Sequence, residues 1–223
     1  MQSQDAQSVL VLKVWPWLEA NLKRIILFTG IFALVLFIYS FFSYRRQQNE
    51  ITASQALTQA MMTPDSNQAA AAVSQIAEKY PDTLAGQRAA LQSALIQFDN
   101  GKFPEAQAQF QAYLDGHPGS PFAATAALGI ASSLDAQGKT DLAAAAYQRV
   151  ISLYGDTTEA SSAKFALGSI NEKQGKNTEA QRYFEDVARS NPNSSLGNEA
   201  GMRAMELKSK LAAAPKLATT PKS

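Results

Sequence analysis

The chain has 223 residues, with 20 basic and 19 acidic side chains and a formal net charge of +1. That balance argues against a nucleic-acid binder, because phosphate recognition needs a concentrated excess of Lys and Arg. The absence of cysteine excludes disulfides, thiolate zinc sites and cysteine nucleophiles, and a single histidine leaves little for a transition metal to bind.

Ala and Gln are abundant and Val and Ile sparse, which favours helix over sheet. Residues 1–24 read as an N-terminal cytoplasmic or interfacial segment, with Trp15 and Trp17 suited to an interfacial aromatic belt. The stretch RIILFTGIFALVLFIYSFFSYRR then carries an uncharged run from Ile25 to Tyr44, bounded by Lys23-Arg24 and Arg45-Arg46. Twenty residues at about 1.5 Å each predict a transmembrane helix roughly 30 Å long, the thickness of a hydrocarbon core. A buried core helix is the bland alternative, but soluble helices rarely carry large apolar groups on every face. A cleaved signal peptide fits less well. The run exceeds the usual ~7–15 residues, and Ser43-Tyr44-Arg45-Arg46 follows it where a small-residue cleavage site is needed. Lys13, Lys23 and Arg24 precede the run and only Arg45 and Arg46 follow closely, so the charge rule leans toward a cytoplasmic N-terminus. The lean rests on one charge.

Residues 45–80 read as a linker helix and a degenerate first repeat. The first helix of that unit, near ITASQALTQAMM, runs on from the span, and its second follows the cap-like Ser66. From residue 81 to 212 the sequence repeats. Pro81, Pro118, Gly155 and Pro192 stand 37 residues apart, and two positions after each comes Thr83, Ser120, Thr157 or Ser194. A hydroxyl there suits a helix N-cap, since it accepts from an orphan backbone N–H. Gly86, Ala123, Ala160 and Gly197 follow in register, then Ala89, Ala126, Ala163 and Ala200, then Leu91, Leu128, Phe165 and Met202. Small residues let a neighbouring helix approach, and the large one is expected to fill the space beside it. Gly101, Gly138 and Gly175 suit helix C-termini. Ala106, Ala143 and Ala180 each precede by four residues an aromatic: Phe110, Tyr147 or Phe184. After Pro192 the helix SSLGNEAGMRAMELKSKL has no partner and caps the array. The tail, residues 213–223, is rich in Pro and Thr and reads as disordered.

These residues resemble the tetratricopeptide repeat, whose pattern is fullest in Leu167-Gly168, Gly175, Ala180, Phe184 and Pro192. The period is 37 rather than about 34, like the longer variant of bacterial envelope proteins. The expected fold is all-α: one transmembrane helix, then an α-solenoid of tetratricopeptide-like helix pairs.

No chemistry-bearing motif emerges. Gly168 and Gly175-Lys176 are too far apart for a phosphate loop, and Gly168 falls mid-helix. Neither a G-x-S-x-G elbow nor H-E-x-x-H occurs. Glu185 and Asp186, adjacent in sequence, diverge around a helix. His117, in HPGSPFAATAAL, occupies the slot held by Tyr80, Tyr154 and Asn191, which share size but no acid–base chemistry. It is expected to pack or turn rather than catalyse. No catalytic residue, cofactor, metal or small-molecule substrate is expected, and no enzyme.

Surface remains. The resemblance to tetratricopeptide repeats implies a concave partner-binding face that includes Arg88, Phe98, Asp99, Ser132, Asp135, Ser169, Glu172 and Lys173. Their mixed charges suit an extended or helical segment of another protein. Span, short linker and repeats together resemble the YfgM-like ancillary subunits of the Sec translocon. The resemblance implies a single-pass protein of a bacterial inner membrane with a periplasmic repeat domain. Its partners would be translocon subunits or periplasmic chaperones. Two other roles stay open: an envelope scaffold for outer-membrane assembly or cell division, and a cytosol-facing adaptor.

Overall fold

A computed structural model describes residues 15–64 and 66–213. Every regular element among them is a helix: α1 Trp15–Met61, α2 Ser66–Lys79, α3 Leu84–Asp99, α4 Phe103–Gly116, α5 Ala123–Ala136, α6 Thr140–Leu153, α7 Thr158–Lys173, α8 Asn177–Ser190 and α9 Ser195–Ala213. The chain divides into two units, residues 1–52 and 53–223, with the division inside α1. Residues 1–14 and 214–223, the outer parts of the predicted N-terminal segment and tail, lie outside the described residues. α9 runs to Ala213, one residue into the predicted tail.

In the first unit, α1 is long and apolar enough to cross a membrane. Residues 26–44 are all exposed, including Phe28, Phe32, Phe37 and Phe42. Thr29 donates its hydroxyl to the Ile25 carbonyl at 2.8 Å, so this polar group is satisfied within the helix. The Arg45 guanidinium lies over the Phe41 ring, 5.4 Å from its centroid.

The second unit opens with the end of α1. Ala53, Leu57 and Ala60 of α1 form one buried cluster with Val73 and Ile76 of α2 and Ala85 and Ala89 of α3. Each later helix packs on the one before it. The first helices of neighbouring pairs also touch, α3 against α5 and α5 against α7. The small-residue positions explain the spacing: Ala89, Ala126, Ala163 and Ala200 are all 0 % exposed, so no side chain holds the helices apart.

The three repeated glycines are helix-terminating turns. Gly101, Gly138 and Gly175 have φ of 75°, 72° and 75°, a region where a Cβ is strained. In the first, Gly101 N–H donates to Phe98 O and Lys102 N–H to Gln97 O, both at 2.9 Å. Gly138 and Gly175 repeat that pair of bonds, which satisfies carbonyls a helix end leaves orphaned.

The capping expectation holds in three units and fails in one. Thr83, Thr157 and Ser194 accept from the backbone N–H of Gly86, Ala160 and Gly197 at 2.9, 3.2 and 2.9 Å. Ser120 does not cap its helix. α5 starts three residues later at Ala123, with Phe122 at the cap and no side-chain bond there. The cause lies in Tyr113, which stands where the other units have Ile76, Val150 and Val187. Its hydroxyl bonds Ser120 Oγ, and Ser120 donates to Gln87 Oε1 at 2.8 Å. Ser120 Oγ then accepts from the Phe122 N–H at 3.2 Å rather than from Ala123, the position matching Gly86, Ala160 and Gly197 in the other units.

Met202 also departs from expectation. Leu91 is buried and Leu128 and Phe165 half-buried, but Met202 is 67 % exposed. No helix follows α9 among the described residues to cover it.

Candidate functional site

The eight residues of the expected face lie on α3, α5 and α7, the first helices of three successive pairs. Arg88 is exposed on α3, its guanidinium 5.6 Å from the Phe122 ring centroid. Phe98 is half-buried and packs edge-to-face on Phe103 at 5.1 Å, across the α3–α4 turn. Asp99 and Lys173 end α3 and α7 and are exposed.

On α5, Ser132 and Asp135 gather around Tyr147 of α6. Tyr147 donates to Ser132 Oγ at 3.4 Å. Burial raises the Tyr147 hydroxyl above its ordinary 10.0, the Ser132 bond opposes that, and the Asp135 charge adds to it. The phenol therefore stays neutral and works as a packing and hydrogen-bonding group.

On α7, Ser169 and Glu172 meet a residue the sequence reading missed. Arg203 of α9 donates to Ser169 Oγ at 2.8 Å and to Glu172 Oε2 at 2.6 Å. Its guanidinium also stacks over Phe184, 4.7 Å from the centroid, and over Phe165 at 5.4 Å. The planar fork suits that combined role. The signal was present in the repeat register: Arg203 stands where the earlier units have Gln92, Gly129 and Ala166. A large cation in a slot for small or neutral residues marks a new contact. The far end of the candidate face is thus occupied by the chain's own cap.

Further side-chain bonds run between successive pairs. Thr125 of α5 donates to Glu159 of α7 at 2.8 Å, and Ser120 to Gln87 of α3 at 2.8 Å.

His117 closes α4. Its ring stacks on Tyr113 with centroids 5.0 Å apart, and its Nδ1 lies 3.3 Å from the Tyr113 carbonyl. Tyr154 and Asn191 take the corresponding place after α6 and α8, with similar backbone angles. Glu185 pairs with Gln181 and Asp186 with Lys164, so the two carboxylates face different partners. Among the described residues no group of three or more His, Asp or Glu could hold a metal ion.

The family comparisons agree with this architecture. The profile of the tetratricopeptide repeat-like domain matches residues 16–148, and that of the tetratricopeptide repeat matches residues 128–195. No curated protein matches by sequence. Among solved structures, the chain is similar to a tetratricopeptide repeat protein from Parabacteroides merdae. That likeness has 16 % identity and a TM-score of 0.56, covering 74 % of this chain and 62 % of the other. It is also similar to the type III secretion chaperone SycD of Yersinia enterocolitica, in complex with a peptide of the translocator YopD. There the identity is 19 % and the TM-score 0.48, with 55 % of this chain and 92 % of that one covered. With the repeat-like profile matching more than half of its length, the chain belongs to the tetratricopeptide repeat-like family.

Proposed function

We propose that this protein is a membrane-tethered protein–protein interaction module. Its span would be Ile25 to Tyr44, and its repeat domain would work in the periplasm of a bacterium, assisting translocation or recruiting chaperones. One observation carries the reading: a fully exposed apolar helical run and a helical-repeat array occur together in one chain. The repeat-like profile, beginning at residue 16, takes in both.

The physical argument has two parts. An uncharged helix with apolar side chains on every face finds its lowest free energy in hydrocarbon, where its backbone bonds are already made internally. A stack of helix pairs held by small-residue contacts offers a rigid surface with adaptable polar groups, suited to a peptide or helix of another protein. The candidate groups are Arg88, Phe98, Asp99, Ser132 and Asp135, with Lys173 beyond the Arg203 contact.

C-terminal fusions to a reporter active only after export, and to one active only in the cytoplasm, test the orientation. The reading expects activity from the exported reporter alone. Activity only in the cytoplasm would support the cytosol-facing adaptor instead. A pull-down of the full chain from detergent extract tests the role. Recovery of translocon subunits or periplasmic chaperones supports it, and recovery of outer-membrane assembly or division proteins in their place favours the envelope scaffold.

A further inference from the structure

α9 exposes an apolar face that its counterparts bury in whole or in part. Met202 stands at the register of Leu91, Leu128 and Phe165, and Met205 at that of Ala94, Ala131 and Gly168. Ala94 and Ala131 are 1 % and 0 % exposed, and Gly168 lies beneath the Phe184 ring. Met202 and Met205 are 67 % and 74 % exposed.

In the earlier pairs this face receives a helix whose aromatic settles on the small residue. Met205 fills that room, so the end of the array is not shaped to take another unit of the same kind. Ser195, Asn198, Met202, Met205, Ser209 and Ala212 alternate in steps of three and four, and all are exposed. That spacing forms one seam along a helix. The seam reads nearly the same in both directions about a point between Arg203 and Ala204.

We propose that α9 pairs antiparallel with α9 of a second copy about a two-fold axis at that point. Met202 then meets Met205 of the second copy, Asn198 meets its Ser209, and Ser195 meets its Ala212. The layers are large against large, polar against polar, and small against small. Two thioethers at the centre adapt to each other's shape, as methionine does at contact surfaces. The small outer residues let the helix ends approach.

Charge fits as well. Lys210 already pairs with Glu206 of its own helix at 2.6 Å. About that axis Lys210 comes level with Gly197 of the second copy, and the second copy's Glu199 lies two residues away on the same flank, next to Glu206, within reach of the long Lys210 side chain. The contact is isologous and closes at two.

The test uses the full chain in detergent and in native membranes. The chain contains no cysteine, so Met202→Cys and Met205→Cys introduce unique thiols. A mixture of the two variants, with distinguishable tags, is expected to give a mixed disulfide adduct. Leu142→Cys, 59 % exposed on α6, is expected to give none. Sedimentation should return twice the mass of one chain, falling two-fold in Met202→Glu/Met205→Glu with helical content unchanged. A single-chain mass at every concentration would overturn the proposal, as would a dimer that survives the double Glu variant. Crosslinks from residues 202 and 205 to a different protein, without a self-adduct, would assign the face to that partner and equally overturn it.

Discussion

The ring of Phe184 lies directly on Gly168. A Cβ built at that glycine would come within 2.8 Å of the Phe184 Cε1 and 3.0 Å of its Cδ1 and Cζ. Phe184 is itself 0 % exposed and has nowhere to move. Gly168→Ala is therefore expected to destabilise the repeat domain by about 1–3 kcal/mol, the usual magnitude for overpacking. At Gly116 nothing lies within 4 Å of an added Cβ, so Gly116→Ala should leave the thermal midpoint close to that of the wild type. Melts of the two variants side by side check the contact.

Ala143 is 0 % exposed in the cluster that joins α5, α6 and α7. Ala143→Trp should cost roughly 1–3 kcal/mol or more by the same overpacking. His117→Tyr copies Tyr80 and Tyr154 at two of the matching turns and should cost far less, because the site already stacks one ring on Tyr113. The reverse ranking in thermal melts would mean the 37-residue register is misassigned.

Arg203 ties the cap to the last pair. Arg203→Ala leaves the half-buried Ser169 and Glu172 without their partner, and losing a charged hydrogen-bond partner costs about 1–3 kcal/mol. Arg203→Lys keeps the charge but not the planar fork over Phe184, so it should fall between Ala and wild type. Chemical denaturation of the three chains, compared at constant m-value, reads the order.

Glu159 links stability to pH. Burial pushes its carboxyl up, but hydrogen bonds from Thr125, its own backbone N–H, Thr158 and Thr157 outweigh that and hold it below the ordinary 4.5. A folded value below the unfolded one contributes stability that is present above the unfolded value and lost as pH falls through the folded one. The wild-type advantage over Glu159→Gln should thus be full at neutral pH and shrink once the pH drops below about 4.5. Melts of both chains from neutral pH to about pH 3 measure the difference. A difference that grows on acidification would contradict the assignment.

Much of the fold was legible because one register is written four times. Pro81, Pro118, Gly155 and Pro192 mark the turns, and the buried alanines after them fall where the period places them. What the sequence hid were local competitions. Ser120 looks like a cap until Tyr113 takes its hydroxyl, a contact set by two side chains seven residues apart across a turn. Met202 looks like core until one sees that no helix follows α9 among the described residues to bury it. The candidate face was legible only as a list of positions. That Arg203 reaches back from α9 to Ser169 and Glu172 depends on packing between helices 31–34 residues apart, which periodicity alone does not convey.

Photo-crosslinking in native membranes tests the central claim most directly, with probes at Phe98 and Ser132 in the otherwise unaltered chain. The account predicts adducts between the repeat domain and a translocon subunit or a periplasmic chaperone, and none from a probe at the exposed Leu142. Adducts confined to cytoplasmic proteins, or equal labelling from all three positions, would contradict it.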